Sequence, residues 1–176
     1  MIVVSGSCRT GTSMMMQTLV LLGVTSPATP FIKEHNDILH MNPKGFYELH
    51  DEVINGVHHN DYKGTAVKLF PGVLNKTPKD KVSKIIVMKR DRQDAINSFE
   101  PARKLLGIDL TSEYIYDANY AILDNYIVDV EHIFITFVGM VTNPREEILK
   151  VIDFLGIEPS EEQINRAIKN IDTWQF

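Results

Sequence analysis

The sequence predicts an α/β protein: a single domain over residues 1–176, with a mainly parallel sheet of four to five strands flanked by helices. Three observations lead there. Short, apolar, β-branched runs alternate with longer segments of helical character, the pattern of βαβ units. The first run is followed at once by a glycine-bounded loop and a helix-forming stretch. The composition, 44% hydrophobic and 23% charged, suits one ordinary core. A domain of this size buries roughly 68–70% of its unfolded surface. The same composition excludes disordered, collagen-like and low-complexity chains.

The elements follow in order. Ile2-Val3-Val4 is short and β-branched, as a strand buried on both faces should be. Ser5 to Gly11 is a loop. Thr12 to Leu22, rich in Met and Leu, reads as a helix stopped by Gly23. Thr25 to Gly45 is irregular, with Pro27, Pro30 and Pro43, and Glu48 to Asn60 can form a polar helix. Thr65 to Leu69 is a second strand, broken by Pro71-Gly72. Lys84 to Met88 is a third. Helices are expected from Arg92 to Leu106 and from Ser112 to Val130, and a fourth strand over Ile133 to Phe137. Asn143-Pro144 opens a helix with Glu146 and Glu147 in its first turns, where they suit the dipole, and Leu155-Gly156 closes it. A last helix spans Ser160 to Asn170, with Ser160 as N-cap and Gln163 at the capping-box position. Phe31, Phe46, Tyr47, Tyr114 and Tyr116 are assigned to the core rather than to a pocket.

One cysteine, Cys8, excludes a disulfide framework and any Cys-rich metal site, and fits a reducing, cytoplasmic setting. No grouping of His, Asp and Glu suggests a metal, and His40, His58 and His59 read as surface or packing residues. No apolar run approaches the roughly 20 residues of a membrane helix, so no membrane partner is expected. The start, Met1 to Gly6, lacks the basic region of a secretory signal.

The formal net charge of −5 argues against nucleic acid as a partner. It also hides an asymmetry. From Lys63 to Lys104 there are 11 Lys or Arg against four acids, a segment of +7 in a remainder of −12. Such a run is either a solvated basic face or an anion site built into one part of the fold. Lys76, Lys79, Lys81 and Lys84 read as plain surface charge.

In parallel sheets ligands bind beyond the carboxyl ends of the strands, which directs attention to the loops after strands one, two and three. After strand one comes Ser5-Gly6-Ser7-Cys8-Arg9-Thr10-Gly11-Thr12-Ser13. Gly6 and Gly11 frame four residues, the spacing of a phosphate-cradling P-loop. Glycines there let N–H groups turn inward, and the helix amino end adds partial positive charge and unpaired donors. Thr12 stands where the Walker pattern places Lys, and the loop cation is Arg9 instead. That weakens a nucleoside triphosphate reading.

The stretch Val4 to Met16 resembles the 5′-phosphosulfate loop of sulfotransferases that use 3′-phosphoadenosine-5′-phosphosulfate (PAPS) and release 3′-phosphoadenosine-5′-phosphate (PAP). Thr10 replaces the usual Ser. The resemblance implies a single-domain P-loop fold and cofactor contacts from Ser7, Cys8, Arg9, Thr10, Gly11, Thr12 and Ser13. It also implies a 3′-phosphate site made by an Arg ending a strand and a Ser eight residues on, which here are Arg90 and Ser98. The plain alternatives are an ion pair of Arg90 with Asp91 or Asp94, and an ordinary helix hydroxyl at Ser98. Three further segments are similar to the family: Asn42 to Glu48, Val67 to Pro71, and Thr142-Asn143-Pro144 through Phe154-Leu155-Gly156.

The resemblance implies transfer of a sulfuryl group to an acceptor hydroxyl or amine of a small molecule, carbohydrate or peptide, with no metal. Lys68, at the end of strand two, is the candidate to stabilise the departing phosphate; otherwise it is a solvated strand-end lysine. The acceptor also needs a base within hydrogen-bond reach. The cytosolic enzymes use a His two residues past that Lys, where this chain has Phe70. Glu48 is the best substitute, with His50 and Glu34 behind it, unless Glu48 serves the turn at Gly45. The Gly-rich basic segment that the cytosolic enzymes carry near their carboxyl end has no counterpart here. The acceptor pocket is expected from Thr25–Asp61 and from Leu105–Tyr126. The alternatives are a P-loop nucleoside or nucleotide kinase and an inactive PAP(S)-binding relative, the latter favoured by Phe70.

Overall fold

Ile2–Ser5 (β1) lies at the centre of the sheet, because its β-branched residues can be covered on both faces. The computed structural model describes residues 1–27, 47 and 62–172. Among them Ala66–Lys68 (β2), Lys84–Lys89 (β3) and His132–Thr136 (β4) join β1 in a four-stranded sheet of order β2-β1-β3-β4. Every pairing is parallel: Val3 stands opposite Val67 on one side and Ile85 on the other, and Val87 opposite Phe134. Val3, Val4 and Ile85 through Met88 are fully buried, as expected for parallel strands.

The helices among the described residues are Thr12–Leu21 (α1), Pro71–Leu74 (α2), Arg92–Leu105 (α3), Ser112–Tyr126 (α4), Phe137–Thr142 (α5), Pro144–Leu155 (α6) and Glu161–Asp172 (α7). They fall into two packed groups, α2 and α3 against α4, and α1, α5 and α6 against α7. Met14, Met15, Met16 and Leu19 of α1 are fully buried. The side of α7 that packs inward carries Ile164, Ala167 and Ile171, spaced three and four residues apart. Asn170 Nδ2 adds a hydrogen bond to Gln17 Oε1 at 3.1 Å.

Local chemistry sets the boundaries. Asp91 Oδ1 accepts from the Asp94 N–H and caps α3, and Thr111 caps α4 in the same way. The expected capping box forms: Gln163 N–H donates to Ser160 Oγ, and Ser160 N–H to Gln163 Oε1. Two expectations are corrected. The fourth strand ends at Thr136, because its hydroxyl accepts from the Gly139 N–H and starts a helix at Phe137. The helix from Ser112 ends at Tyr126 and tightens into a 3₁₀ turn over Ile127–Asp129. Tyr47 is buried, but Tyr114 is 60% exposed and is no core residue. The helix expected over 48–60, with Phe31 and Phe46, lies outside the described residues.

Two of the lysines assigned to plain surface charge behave so, while Lys84 is partly buried, with its Nζ donating to the Phe154 carbonyl over the Phe154 ring. Lys79 pairs with Asp129, Lys81 with Asp80 and Lys84 with Glu131.

Candidate functional site

β1, β2 and β3 all end at one edge of the sheet, and the Ser5 hydroxyl ties two of those ends by donating to the Leu69 carbonyl at 2.7 Å. The loop after β1 begins at Gly6. A Cβ there would lie 2.6 Å from Thr10 Oγ1 and 2.8 Å from the Met88 carbonyl, so only glycine lets the loop fold back against β3. The loop ends at Gly11, whose φ of +97° and close approach to the Phe137 ring (2.9 Å from a Cβ) also demand glycine. With Gly11 as N-cap, no side chain caps α1. The amino end of the helix thus keeps its partial positive charge uncovered by any cap.

Arg9 sits between the glycines in the left-handed region, φ +63°. A non-glycine residue there persists only where its surroundings hold it. Three contacts do so. Thr10 Oγ1 donates to the Ser7 carbonyl at 2.8 Å, Arg90 Nη1 donates to the Arg9 carbonyl at 3.2 Å, and Arg9 Nε donates to Ser98 Oγ at 3.1 Å. The structure therefore brings Ser7, Arg9, Thr10, Arg90 and Ser98 together. Ser98 and Arg90, the two residues expected to share one site, are linked through Arg9, whose Nε bonds Ser98 and whose carbonyl accepts from Arg90.

No ion pair joins Arg90 to Asp91 or Asp94 among the described residues. Its guanidinium lies over the Phe137 ring at 4.3 Å, and its Nε is buried with no hydrogen-bond partner. Burial pushes the Arg90 pKa down, against the pull of Asp94 and Asp91. Burial also lowers that of Arg9, and the Arg90 charge lowers it further. Arg92 and Arg103 on α3 provide the contrast. Their pKa values rise because they hydrogen-bond Asp117 and Glu100. Two guanidiniums held close together, one with a buried N–H unspent, form a site that favours a multiply charged anion. The residues present thus fit the phosphate groups of a nucleotide.

Lys68 forms the second part of the site. It is buried (5% exposed), its Nζ donates to Ser13 Oγ in the first turn of α1 at 3.2 Å, and it lies 5.2 Å from the Phe70 ring centroid. It is no solvated strand-end lysine. Thr12 is buried beside the loop and Cys8 half-buried within it. Glu48, His50, Glu34, His40, His58 and His59 lie outside the described residues. Among those described, no group of three or more His, Cys, Asp or Glu could hold a metal, and no helix is long and apolar enough to cross a membrane.

Sequence reasoning missed the contribution of α4. Tyr116 Oη donates to the Arg90 carbonyl at 2.9 Å and Tyr120 Oη to the Met88 carbonyl at 2.7 Å. Burial pushes the Tyr120 phenol pKa well up. Asn119 Nδ2 donates to Ser7 Oγ at 3.1 Å. The only signal in the sequence was their spacing of three and four residues, which also suits an ordinary buried face.

The family model for the sulfotransferase domain matches residues 1–174. Solved structures share the fold. The sulfotransferase domain from the curacin biosynthetic pathway is 15% identical with a TM-score of 0.60, the match covering 92% of this chain and 75% of that one. A retinol dehydratase in complex with androsterone and PAP is 15% identical with a TM-score of 0.60, covering 97% and 64%. Mouse sulfotransferase SULT7A1 in complex with PAP is 16% identical with a TM-score of 0.59, covering 97% and 62%. The chain thus spans between 62% and 75% of the length of these structures. No curated protein matches it in sequence. With the strand-end loop, the basic pair beside it and a family match over nearly its whole length, the chain belongs to the sulfotransferase domain family.

Proposed function

We propose that the chain, as one domain over residues 1–176, moves a sulfuryl group from PAPS to a hydroxyl or amine of a small-molecule, carbohydrate or peptide acceptor. The observation that carries the reading is Arg90, with a buried and unpartnered Nε, set against Arg9 at the end of β3. A buried guanidinium N–H without an acceptor costs stability, so its retention points to an anion that completes the site.

The roles divide between two clusters. Arg90 and Ser98, with Arg9 between them, bind the 3′-phosphate. The loop from Ser7 to Ser13, with the uncapped amino end of α1, binds the 5′ end. PAPS, when bound, supplies a sulfuryl group on a phosphate leaving group. Chemistry of this kind depends on positioning and on stabilising charge. Lys68, buried and aimed by Ser13, stabilises the negative charge that develops at the strand ends. Glu48 is the candidate to take the acceptor proton, with His50 as its substitute. No metal enters this reading, and the compartment proposed is the cytoplasm.

The test is calorimetric titration with PAP and with ATP plus magnesium. Saturable PAP binding that exceeds ATP binding is the expected result. ATP preferred over PAP would favour a kinase, and the absence of PAP binding would refute the proposal. PAP binding with no consumption of PAPS across an acceptor panel would favour an inactive relative. That second reading draws on Phe70, which stands under Lys68 and cannot accept a proton.

A further inference from the structure

Helix α4 touches both anion-binding elements through one face. Its tyrosines hold main chain: Tyr116 the carbonyl of Arg90 and Tyr120 the carbonyl of Met88. Asn119 is different, because it meets a side chain of the loop. Its Nδ2 donates to Ser7 Oγ at 3.1 Å across 112 residues of sequence.

The consequence lies in the hydroxyl. A serine hydroxyl has one proton to give and two lone pairs to receive. The Ser7 hydroxyl is buried, with the residue 1% exposed, and one lone pair is filled by the Asn119 amide. Its own proton meets no acceptor among the described residues. The same arrangement recurs at Ser98, whose hydroxyl receives Arg9 Nε and likewise donates to none of them. Each serine is therefore fixed by a donor from another element and left with a proton to offer. A hydroxyl fixed in this way stabilises an anionic oxygen without paying for its own reorientation.

We propose that Asn119 is a positioning residue of the nucleotide site: its amide fixes the Ser7 hydroxyl so that the proton serves an anionic oxygen at the 5′ end of the ligand. The assignment rests on the PAPS-binding reading above. It adds a residue from α4 that neither the loop pattern nor the strand-end arginine would identify. It also explains why a polar residue stands between two aromatic ones on the packed face of that helix.

The test is a double-mutant cycle on the full chain, read by calorimetric titration with PAP. Ser7→Ala removes a hydrogen bond to a charged group and should weaken binding about tenfold. Asn119→Ala leaves the hydroxyl in place but free to turn, and should weaken it about fivefold. If Asn119 acts through Ser7, the double variant binds no more weakly than Ser7→Ala alone. A merely structural role would instead lower affinity by the same factor in both backgrounds. Asn119→Leu keeps the shape without the donor, and guards against a collapsed Ala variant; it should show the same fivefold loss with a melting temperature near that of the wild type. Wild-type affinity in Asn119→Leu, or penalties that multiply in the double variant, would overturn the assignment and leave Asn119 a strut between helix and loop. Absence of PAP binding by the wild type would overturn the functional reading, and this assignment with it.

Discussion

Replacing Arg90 by Met separates binding from stability. The Met side chain keeps an unbranched apolar stem against Phe137 and removes the charge. Two contributions are lost in the ligand-free protein. The hydrogen bond to the Arg9 carbonyl, 3.2 Å long, is worth about 1 kcal/mol net. The cation over the Phe137 ring, at 4.3 Å, contributes about 0.5–1 kcal/mol. One cost disappears, the buried Nε without a partner, which is about 1–3 kcal/mol. Removing the charge also relieves the repulsion that lowers the Arg9 pKa. The sum leaves the ligand-free variant within about 1 kcal/mol of the wild type, or about 4 °C in melting temperature for a chain of this size. PAP binding has no such compensation. A hydrogen bond to a charged group is worth about 1.5–3 kcal/mol, so affinity should fall by a factor of about 10 to 150. A thermal melt without ligand and a calorimetric titration with PAP measure the two quantities separately. A melting temperature more than about 10 °C lower with unchanged PAP affinity would make Arg90 a structural strut and refute this reasoning.

Two further outcomes are expected. Lys68→Met should leave PAP affinity within about threefold while PAPS consumption, followed by chromatography, falls at least about a hundredfold, because charge stabilisation is used mainly in the transition state; equal losses in both would place Lys68 in binding alone. Glu100 should show in a pH series. Its hydrogen bonds from Arg103 and Ser112 hold its carboxyl at about 2, below the ordinary 4.5. A lowered carboxyl pKa stabilises the fold fully above 4.5 and loses that contribution as pH falls toward 2. The melting-temperature gap between wild type and Glu100→Gln should therefore close over that interval, and a gap constant across it would contradict the assignment.

What the sequence made legible was local. Gly6 and Gly11 betray the loop because each is forced by a close approach or a positive φ that other residues cannot meet. β1 and β3 are legible because strands covered on both faces are uniformly apolar. The helix from Phe137 was not, because Val138, Met140 and Val141 continue the strand's apolar run. One hydroxyl, that of Thr136, decides the boundary by capping. The partner of Ser98 escaped for a different reason. Its spacing from Arg90 is a property of β3 and α3. The guanidinium that reaches it comes from Arg9, turned there by a left-handed backbone. Asn119 lay beyond reach altogether, since its meaning depends on a contact 112 residues away.

The order of the sheet bears on how the molecule assembles. β1 is made first and yet sits in the middle, with Val3 pairing to Val67 and Ile85, which lie 64 and 82 residues further along. Among the described strands every pairing is parallel, so the closure entropy of two long loops precedes any gain from pairing them. During synthesis, at about 5–20 residues per second, the first strand and the methionines of α1 wait several seconds for their neighbours. Through that interval an apolar strand with two open edges is exposed, which calls for a chaperone or fast burial against α1. The proposed anion site is completed later still, because its parts come from Ser7, Lys68, Arg90, Ser98 and Asn119. A nucleotide that binds them is thus a reporter of finished folding, and its binding should protect β1 from exchange more than any peripheral element.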